Sequence, residues 1–343
     1  MLMRYTLEAD PFLQTRVVQM SQNGNDLSYY KIRRKKRAEM TSATTQSGYP
    51  QPANRNRERV ASEPQSGIVW LASYPKSGNT WTRAFLHNLV KSISGEGDIQ
   101  NINAMGRFTA GLNDKSLYAR VMGFEPTNEH YAEIAAARHE VQRRAADEFE
   151  GLLFIKTHQA LVLDRGHTTI NFAVTAGAIY IVRDPRDVAI SYAHHMGRSV
   201  DDAIEIMNTP NAELPVSDKQ VHEVYGTWSQ HVLSWTRKPH QAIYVMRYED
   251  MLVEPEKTFG ALARHLLFSP SPIQLKDALD RSSFANLREQ EEREGFVERP
   301  DRAKRFFREG RAGQWKEILT QQQINQIERT HGEQMARFGY LSV

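Results

Sequence analysis

The sequence of 343 residues contains no cysteine. Structural disulfides, thiolate zinc sites, iron–sulfur clusters and thiol nucleophiles are therefore excluded. It also lacks a run of 18 apolar residues, which a membrane-spanning helix needs. Its first residues include Glu8 and Asp10, where a signal peptide would need an uninterrupted apolar run. These absences lead us to expect a cytoplasmic protein.

The formal net charge is only +3, and the basic excess is confined to the N-terminal segment. Residues 1–66 hold 11 Lys and Arg against 6 Asp and Glu, whereas residues 67–343 hold 33 against 35. Six of the seven residues in 31–37 are basic, and the sequence that follows is too polar to bury itself. We predict a disordered basic and polar extension over 1–66, a folded domain over 67–343, and neither a nucleic-acid nor a membrane partner.

Short apolar runs alternate with helical patterns from residue 67 onwards. The runs predict strands at 68–73, 151–158, 178–183 and 241–247. The 3.6-residue patterns predict helices at 80–90, 128–149, 185–194, 218–237, 255–266, 283–293 and 320–337. Two long connections, 195–217 and 294–313, are expected to be irregular and to act as lids. This alternation indicates an α/β fold of three layers, with a central, mainly parallel sheet flanked by helices.

The first chemical signal is the strand, loop and helix over 68–90. A loop that leads into a helix presents free backbone N–H groups and the positive end of the helix dipole, so it suits a phosphate-sized anion. The loop 74–80 adds a cation, hydroxyls and a glycine that allows close backbone approach. The G-x-x-x-x-G-K-[ST] spacing is absent, so the loop is P-loop-like without being a Walker loop. An ordinary turn that happens to contain a lysine remains open at this point.

Further cations follow the other predicted strands. Lys156 and His158 lie two residues apart at a strand end, so their side chains share one face. Arg183 ends the next strand, and Ser191 lies eight residues later on the following helix. Ligands of open parallel sheets bind outside the carboxyl ends of the strands. Together with Lys76 and Arg308, these residues predict a polyanionic ligand.

Five blocks now carry a family resemblance: YPKSGNTW (74–81), KTH (156–158), RDPRDVAISY (183–192), YEDM (248–251) and FFREGRAGQWK (306–316). In this order they resemble the sulfotransferase family that uses 3′-phosphoadenosine 5′-phosphosulfate, over roughly residues 67–338. The resemblance implies that the 5′-phosphosulfate is held by Lys76, Ser77, Gly78, Asn79 and Thr80. It implies a 3′-phosphate site formed by Arg183, Ser191, Phe307, Arg308, Glu309 and Gly310. It places the adenine among Trp81, Tyr248, Phe284 and Ser282.

The resemblance also implies a mechanism. His158 is expected to be the general base, and Lys76 and Lys156 the cations that stabilise the phosphosulfate and its leaving oxygen. Ser191 is expected to hold Lys76 until the acceptor arrives. No metal is expected. The implied reaction is transfer of a sulfuryl group from the donor, which leaves as the desulfated nucleotide, to a hydroxyl or amine of an acceptor.

Some residues depart from the family pattern. Asn79 replaces a Thr that is frequent in animal members, which keeps a hydrogen-bonding side chain. Glu309 occupies the middle of what is usually Arg-Lys-Gly and puts an acid beside the 3′-phosphate site. A C-terminal dimer signature is matched only at Lys316 and Thr320, so the oligomeric state is not predicted.

Two other functions remain as alternatives, and the acceptor is open. A nucleotide-dependent kinase would require Mg²⁺, and a non-catalytic nucleotide sensor or scaffold would have no use for a base such as His158. A metalloprotease is disfavoured because neither HEV tripeptide, at 139–141 or 222–224, is followed by the second histidine of a zinc helix. A small-molecule acceptor is expected to lie between segments 104–125 and 195–217, with these candidate lining residues: Phe108, Tyr118, Phe124, His194, His195 and Met196.

Overall fold

The computed structural model of the protein describes residues 16–20, 30–34, 67–95, 101–109, 111–149 and 151–341. Its strands are β1 Arg16–Met20, β2 Tyr30–Arg34, β3 Gly67–Ser73, β4 Leu152–Thr157, β5 Leu163–Asp164, β6 His167–Thr168, β7 Thr175–Val182, β8 Glu213–Leu214, β9 Glu223–Val224 and β10 Ile243–Arg247. Its helices are α1 Asn79–Ser94, α2 Met105–Phe108, α3 Lys115–Met122, α4 Tyr131–Asp147, α5 Pro185–Met196, α6 Val200–Asn208, α7 Trp228–Thr236, α8 Tyr248–Val253, α9 Pro255–His265, α10 Pro272–Arg281, α11 Phe284–Glu294, α12 Trp315–Ile318 and α13 Gln321–Arg337.

Four parallel strands form the central sheet in the order β10-β7-β3-β4. Trp70 of β3 lies opposite Ile155 of β4 on one side and Ala178 of β7 on the other. The chain therefore leaves β3 toward β4 and later returns to the opposite side of β3. The carboxyl end of β3 is thus the switch point of the sheet, where open α/β folds bind their ligands.

Both faces of the sheet are buried. Successive residues of β3 point to opposite sides, and all seven of them are buried. Ile68 and Trp70 lie in one apolar cluster with buried residues of α5, α6, α7 and α13. Val69 and Leu71 lie in a second cluster with buried residues of α1, α8, α9 and α10. The expected three-layer α/β fold with a parallel sheet is confirmed.

Several elements differ from the sequence predictions. Segment 195–217 was expected to be irregular, but it contains α6, which Ser199 begins with a capping box and which buries Ala203 and Ile204. The helix predicted over 218–237 was wrong in its first half. That half holds β9 and then Gly226 in a left-handed conformation (φ 64), and the helix begins only after the capping residue Thr227. Helices α2, α3, α8, α10 and α12 were not predicted either.

Two parts of the chain outside the main sheet complete the description. Strands β1 and β2 pair antiparallel within the segment predicted as an extension, and the rest of that segment lies outside the described residues. The boundary at residue 67 remains a prediction. None of the helices in the described ranges is long and apolar enough to cross a membrane.

Candidate active site

The loop between β3 and α1 adopts a conformation that its sequence makes possible. Gly78 precedes α1 with φ 108, and a Cβ atom there would lie 2.7 Å from Cδ2 of Tyr248. Lys76 also has a left-handed backbone, with φ 66. The loop therefore packs its backbone closely against Tyr248 and opens the N-terminus of α1, a position that favours an anion.

Buried polar atoms around this loop lack hydrogen-bond partners within the part of the chain that the structure describes. They include Oγ of Ser77, Nε1 of Trp81 and Nε of Arg183. Unsatisfied buried donors are costly, so native structures rarely keep them without a ligand or water. Asn79 is fixed by its Nδ2, which donates to the Leu71 carbonyl at 2.8 Å. These free donors fit a polar, anionic ligand.

Lys76 lies near two other cations, Lys156 and Arg183, at the switch point of the sheet. Burial and, after it, the neighbouring charges of Lys156 and Arg183 lower its pKa from 10.5 to about 7. Its Nζ donates to Nδ1 of His195 at 3.4 Å and lies 4.1 Å from the ring centre of Phe306. The three cations at the carboxyl ends of three adjacent strands are thus close enough to influence one another.

His158 follows β4 and is held in one tautomer. Its Nδ1 donates to the Ser73 carbonyl at 2.8 Å, and a carbonyl can only accept, so the proton is on Nδ1. Burial, followed by the charge of Lys156, holds the pKa of His158 well below 6.5. The imidazole is therefore neutral near pH 7 and has its lone pair on Nε2. This arrangement provides a proton acceptor beside the cations.

The backbone at His158 is fixed by a second histidine. Nε2 of His231 donates to the His158 carbonyl at 3.0 Å, and Nδ1 of His231 accepts from the Tyr180 hydroxyl at 2.9 Å. Burial lowers the pKa of His231 to about 4, so this ring is neutral as well. Sequence reasoning missed this support because His231 lies 73 residues from His158.

Arg183 connects four parts of the site. Its guanidinium donates to the carbonyls of Lys76 (3.1 Å) and Arg311 (3.3 Å) and lies 4.2 Å from the ring centre of Tyr248. The end of β7, the loop before α1, the start of α8 and segment 294–313 therefore meet at one side chain.

The aromatic residues expected around an adenine form two groups. Trp81 packs edge-on against Tyr248, with ring centres 5.9 Å apart. Phe284 lies against Gly310 and 6.2 Å from Phe307. Trp81 and Phe284 pack against the same small apolar cluster. Ser282, at the end of α10, is fully buried, and its hydroxyl donates to the helix carbonyl of Ala278 at 2.7 Å.

Beyond Glu294, the last residue of α11, segment 294–313 forms no regular helix or strand, as expected, and the buried Glu291 anchors it. The Glu291 carboxylate accepts from the backbone N–H groups of Phe306 (2.7 Å) and Phe307 (2.8 Å). The next residue, Arg308, donates to Gln314. Glu309 is exposed and lies 3.5 Å from the guanidinium of Arg308, so its charge is partly balanced by its neighbour.

An ion pair that the sequence did not reveal lies beside these groups. Arg83 of α1 is buried and forms a bidentate ion pair with the Glu298 carboxylate, with Nη2–Oε1 at 2.7 Å and Nη1–Oε2 at 2.9 Å. The same carboxylate lies 3.3 Å from Nζ of Lys156. The sequence offered one signal for this ion pair, the position of the charged Arg83 on the apolar face of a helix. No neighbouring residue indicates that Glu298 is its partner.

The residues expected to line an acceptor pocket are scattered. His195 contacts Lys76, whereas Tyr118 is buried in the cluster between α3 and α4. Phe124 is 43% exposed and packs on His130, away from these contacts. Two others lie beside His195 on α5, with His194 exposed and Met196 packed on the main core; the side chain of Phe108 lies outside the described residues. Ser191 lies one turn before His195, but within the described residues Lys76 bonds to His195 instead.

Comparison with known proteins decides the family. The family model described as the sulfotransferase domain matches residues 67–339. The chain belongs to the sulfotransferase family. Among curated relatives, sulfotransferase 2A2 of Mus musculus is 24% identical over 274 residues, which cover 78% of this chain and 84% of the relative. Flavonol 3-sulfotransferase of Flaveria bidentis is 24% identical over 286 residues, covering 79% and 82%.

Solved structures share the fold of this sulfotransferase. Mouse sulfotransferase SULT7A1 complexed with PAP aligns with a TM-score of 0.52 at 19% identity, over 78% of this chain and 84% of the other. Retinol dehydratase in complex with androsterone and the inactive cofactor PAP aligns with a TM-score of 0.55 at 20% identity, over 78% and 80%. The described residues of the sulfotransferase contain no group of three or more His, Asp or Glu side chains placed to hold a metal ion.

Proposed function

We propose that this sulfotransferase uses 3′-phosphoadenosine 5′-phosphosulfate as donor and a hydroxyl of a small molecule as acceptor. The observation that carries the proposal is the neutral His158, with its lone pair on Nε2, beside the cations Lys76 and Lys156 at the switch point. The PAP complexes of proteins with the same fold support the choice of nucleotide. The flavonol relative and the androsterone complex support a small hydroxylated acceptor.

The residues around the loop fit this donor. Residues 76–80 would hold its phosphosulfate, where Ser77 offers a free hydroxyl and α1 its N-terminus. Arg183, whose Nε is free, would hold the 3′-phosphate together with residues 307–310, and Ser191 is included as in the family pattern. Trp81, Tyr248, Phe284 and Ser282 would surround the base. When bound, the donor supplies a sulfuryl group that bonds to the acceptor oxygen as its bond to the phosphate breaks.

The protein's own groups would manage the proton and the charge. His158 would accept the acceptor's proton at Nε2, and the Ser73 carbonyl would stabilise the resulting imidazolium through Nδ1–H. Lys76 and Lys156 would balance the negative charge on the leaving oxygen. Ser191 would hold Lys76 when His195 does not.

A transfer assay with a matched histidine control tests the function. The purified full chain is incubated with labelled donor, or in a parallel reaction with labelled ATP, and a panel of phenols, flavonols and hydroxysteroids, with and without Mg²⁺. We expect a sulfated product without added Mg²⁺, and His158→Ala should lower turnover by about 10²-fold or more while the affinity for PAP is retained. His240→Ala, at an exposed histidine, should be unchanged.

Three outcomes would contradict this function. A phosphorylated product that requires Mg²⁺ would indicate a kinase. Nucleotide binding without transfer to any acceptor would indicate a sensor. Full turnover of His158→Ala would show that His158 is not the base.

A further inference from the structure

Glu298 places a fixed negative charge between two cations of the site. Its carboxylate pairs with Arg83 through both oxygens, at 2.7 and 2.9 Å, and one of these oxygens also lies 3.3 Å from Nζ of Lys156. Lys156 lies two residues before His158 on the same edge of the sheet. The carboxylate therefore reaches a cation that is proposed to act in the transfer, although it belongs to a different segment.

The position of Glu298 is determined from both sides. Arg83 is 1% exposed, and its third donor, Nε, is bonded to the Thr109 hydroxyl, so the guanidinium has a single orientation. The chain just before Glu298 is held by Asn103, which accepts from the Val297 N–H at 2.9 Å and donates to the Gly295 carbonyl at 3.3 Å. The carboxylate of Glu298 is therefore fixed in position, and the flexible side chain of Lys156 adopts the conformation that brings its ammonium group to this carboxylate.

Glu298 is ionised in this environment. Burial raises the pKa of its carboxyl, but the charges and the hydrogen bonds of Arg83 and Lys156 together outweigh burial and hold the pKa well below its usual range. Lys156 also faces the positive charge of Lys76, whose pKa it lowers. Without the carboxylate, repulsion from Lys76 would favour other rotamers of the Lys156 side chain.

We propose that Glu298 is a positioning residue that acts through Lys156, holding its ammonium group beside His158. The inference rests on the proposed sulfuryl transfer. Arg83 orients Glu298, and Glu298 in turn orients Lys156, so that the cation is in place before the reactants arrive. Such preorganisation affects the rate of a reaction more than the binding of a nucleotide.

A double-mutant cycle on turnover tests this chain of contacts. Glu298→Gln keeps the shape of the side chain and removes its charge, and we expect turnover to fall about 10-fold or more with the affinity for PAP unchanged. In a Lys156→Gln background, the same change should have no further effect on turnover. Glu254→Gln, at an exposed glutamate 2.8 Å from Lys257, is the matched control and should be unchanged.

A second measurement needs no activity. Limiting acetic anhydride is applied to the donor-free protein at one pH, and acylation of individual lysines is followed by mass spectrometry. Lys156 should react severalfold faster in Glu298→Gln than in the wild type, because a carboxylate bonded to an ammonium group suppresses its reaction. Lys257 should react at the same rate in both proteins and serves as the internal reference. If Glu298→Gln does not fold, Glu298→Asp replaces it, since a shorter side chain retains the charge on Arg83 but withdraws from Lys156.

The two measurements separate the failure of this inference from that of the proposed function. An equal loss of turnover in the wild-type and Lys156→Gln backgrounds would show that Glu298 only stabilises the fold. Unchanged acylation of Lys156 would overturn the contact itself. A wild type that transfers no sulfuryl group contradicts the proposed function, and the acylation result then still decides whether Glu298 holds Lys156.

Discussion

Gly310 is expected to tolerate no side chain, for two reasons that can be measured separately. Its backbone is left-handed, with φ 63. A Cβ atom at this position would lie 2.4 Å from Cγ and Cδ2 of Phe284, closer than carbon atoms approach. The substitution Gly310→Ala therefore adds both backbone strain and a collision with an aromatic ring.

The control is Gly123, which ends α3 with φ 80 and has nothing within 4 Å of an added Cβ. Gly123→Ala thus adds the left-handed cost alone, about 1–2 kcal/mol. For Gly310→Ala we add about 1–3 kcal/mol for displacing the ring, as in other overpacked sites. A loss of 1 kcal/mol lowers Tm by about 2–4 °C in a domain of this size, so Gly310→Ala should melt clearly below Gly123→Ala.

The assay is thermal and denaturant unfolding of both variants, together with calorimetric titration of PAP. The double variant Gly310→Ala with Phe284→Ala lacks the ring. Relative to Phe284→Ala alone, the loss of stability caused by Gly310→Ala should then fall to the loss seen for Gly123→Ala. PAP affinity should fall in Gly310→Ala and remain at the wild-type value in Gly123→Ala. Equal losses of stability in the two single variants would refute the collision with Phe284.

Further outcomes are expected for Arg183, Lys76, His158 and the N-terminal segment. Arg183→Ala should weaken PAP binding by about 10- to 100-fold in calorimetry, since bonds to a charged group contribute about 1.5–3 kcal/mol, with a smaller effect on turnover. Lys76 has a pKa of about 7, so at pH 8 it is mostly neutral, and binding of anionic PAP should take up a proton, seen as a buffer-dependent heat. The pKa of Lys76 is lower in the folded protein than in the unfolded chain, so the unfolded chain binds more protons between about pH 7 and pH 10. The contribution of Lys76 to the free energy of unfolding should therefore rise with pH over this range. His158 must be neutral to accept a proton, and its pKa lies well below 6.5, so the loss of turnover that protonation of His158 causes should appear only on the acid side of the pH–rate profile, below pH 6.5. Removal of residues 1–60 should leave Tm and the affinity for PAP unchanged. A truncated protein with a lower Tm or weaker PAP binding than the full chain would contradict this prediction.

The parts of the fold that were predicted correctly are those with strong local signals. The four apolar runs of the sheet are short, continuous and flanked by turn residues, so they were recognisable as buried strands. The loop at 74–80 was recognisable because its glycine, hydroxyls and lysine lie together. The helix at 218–237 was misjudged because an apolar pattern does not show where a helix starts. Thr227 and the left-handed Gly226 set that start.

The parts of the site that could not be predicted depend on long-range contacts. Arg83 and Glu298 are 215 residues apart, and neither has a neighbour in sequence that points to the other. The tautomer of His158 depends on a backbone carbonyl 85 residues away, which carries no sequence signal. Residue types could therefore predict which groups take part, whereas their partners and charges required the structure.

The strand order of the sheet affects how such a protein can diversify. The groups around the anion loop are attached to the ends of β3, β4 and β7, whose register is fixed by the buried residues of both faces. The connections 104–125 and 195–217 lie outside this sheet, but each contains a residue that contacts a cation of the site. Thr109 accepts from Nε of Arg83, and His195 contacts Lys76. Substitutions at these two positions are therefore expected to change the surroundings of the cations, while the sheet keeps its register.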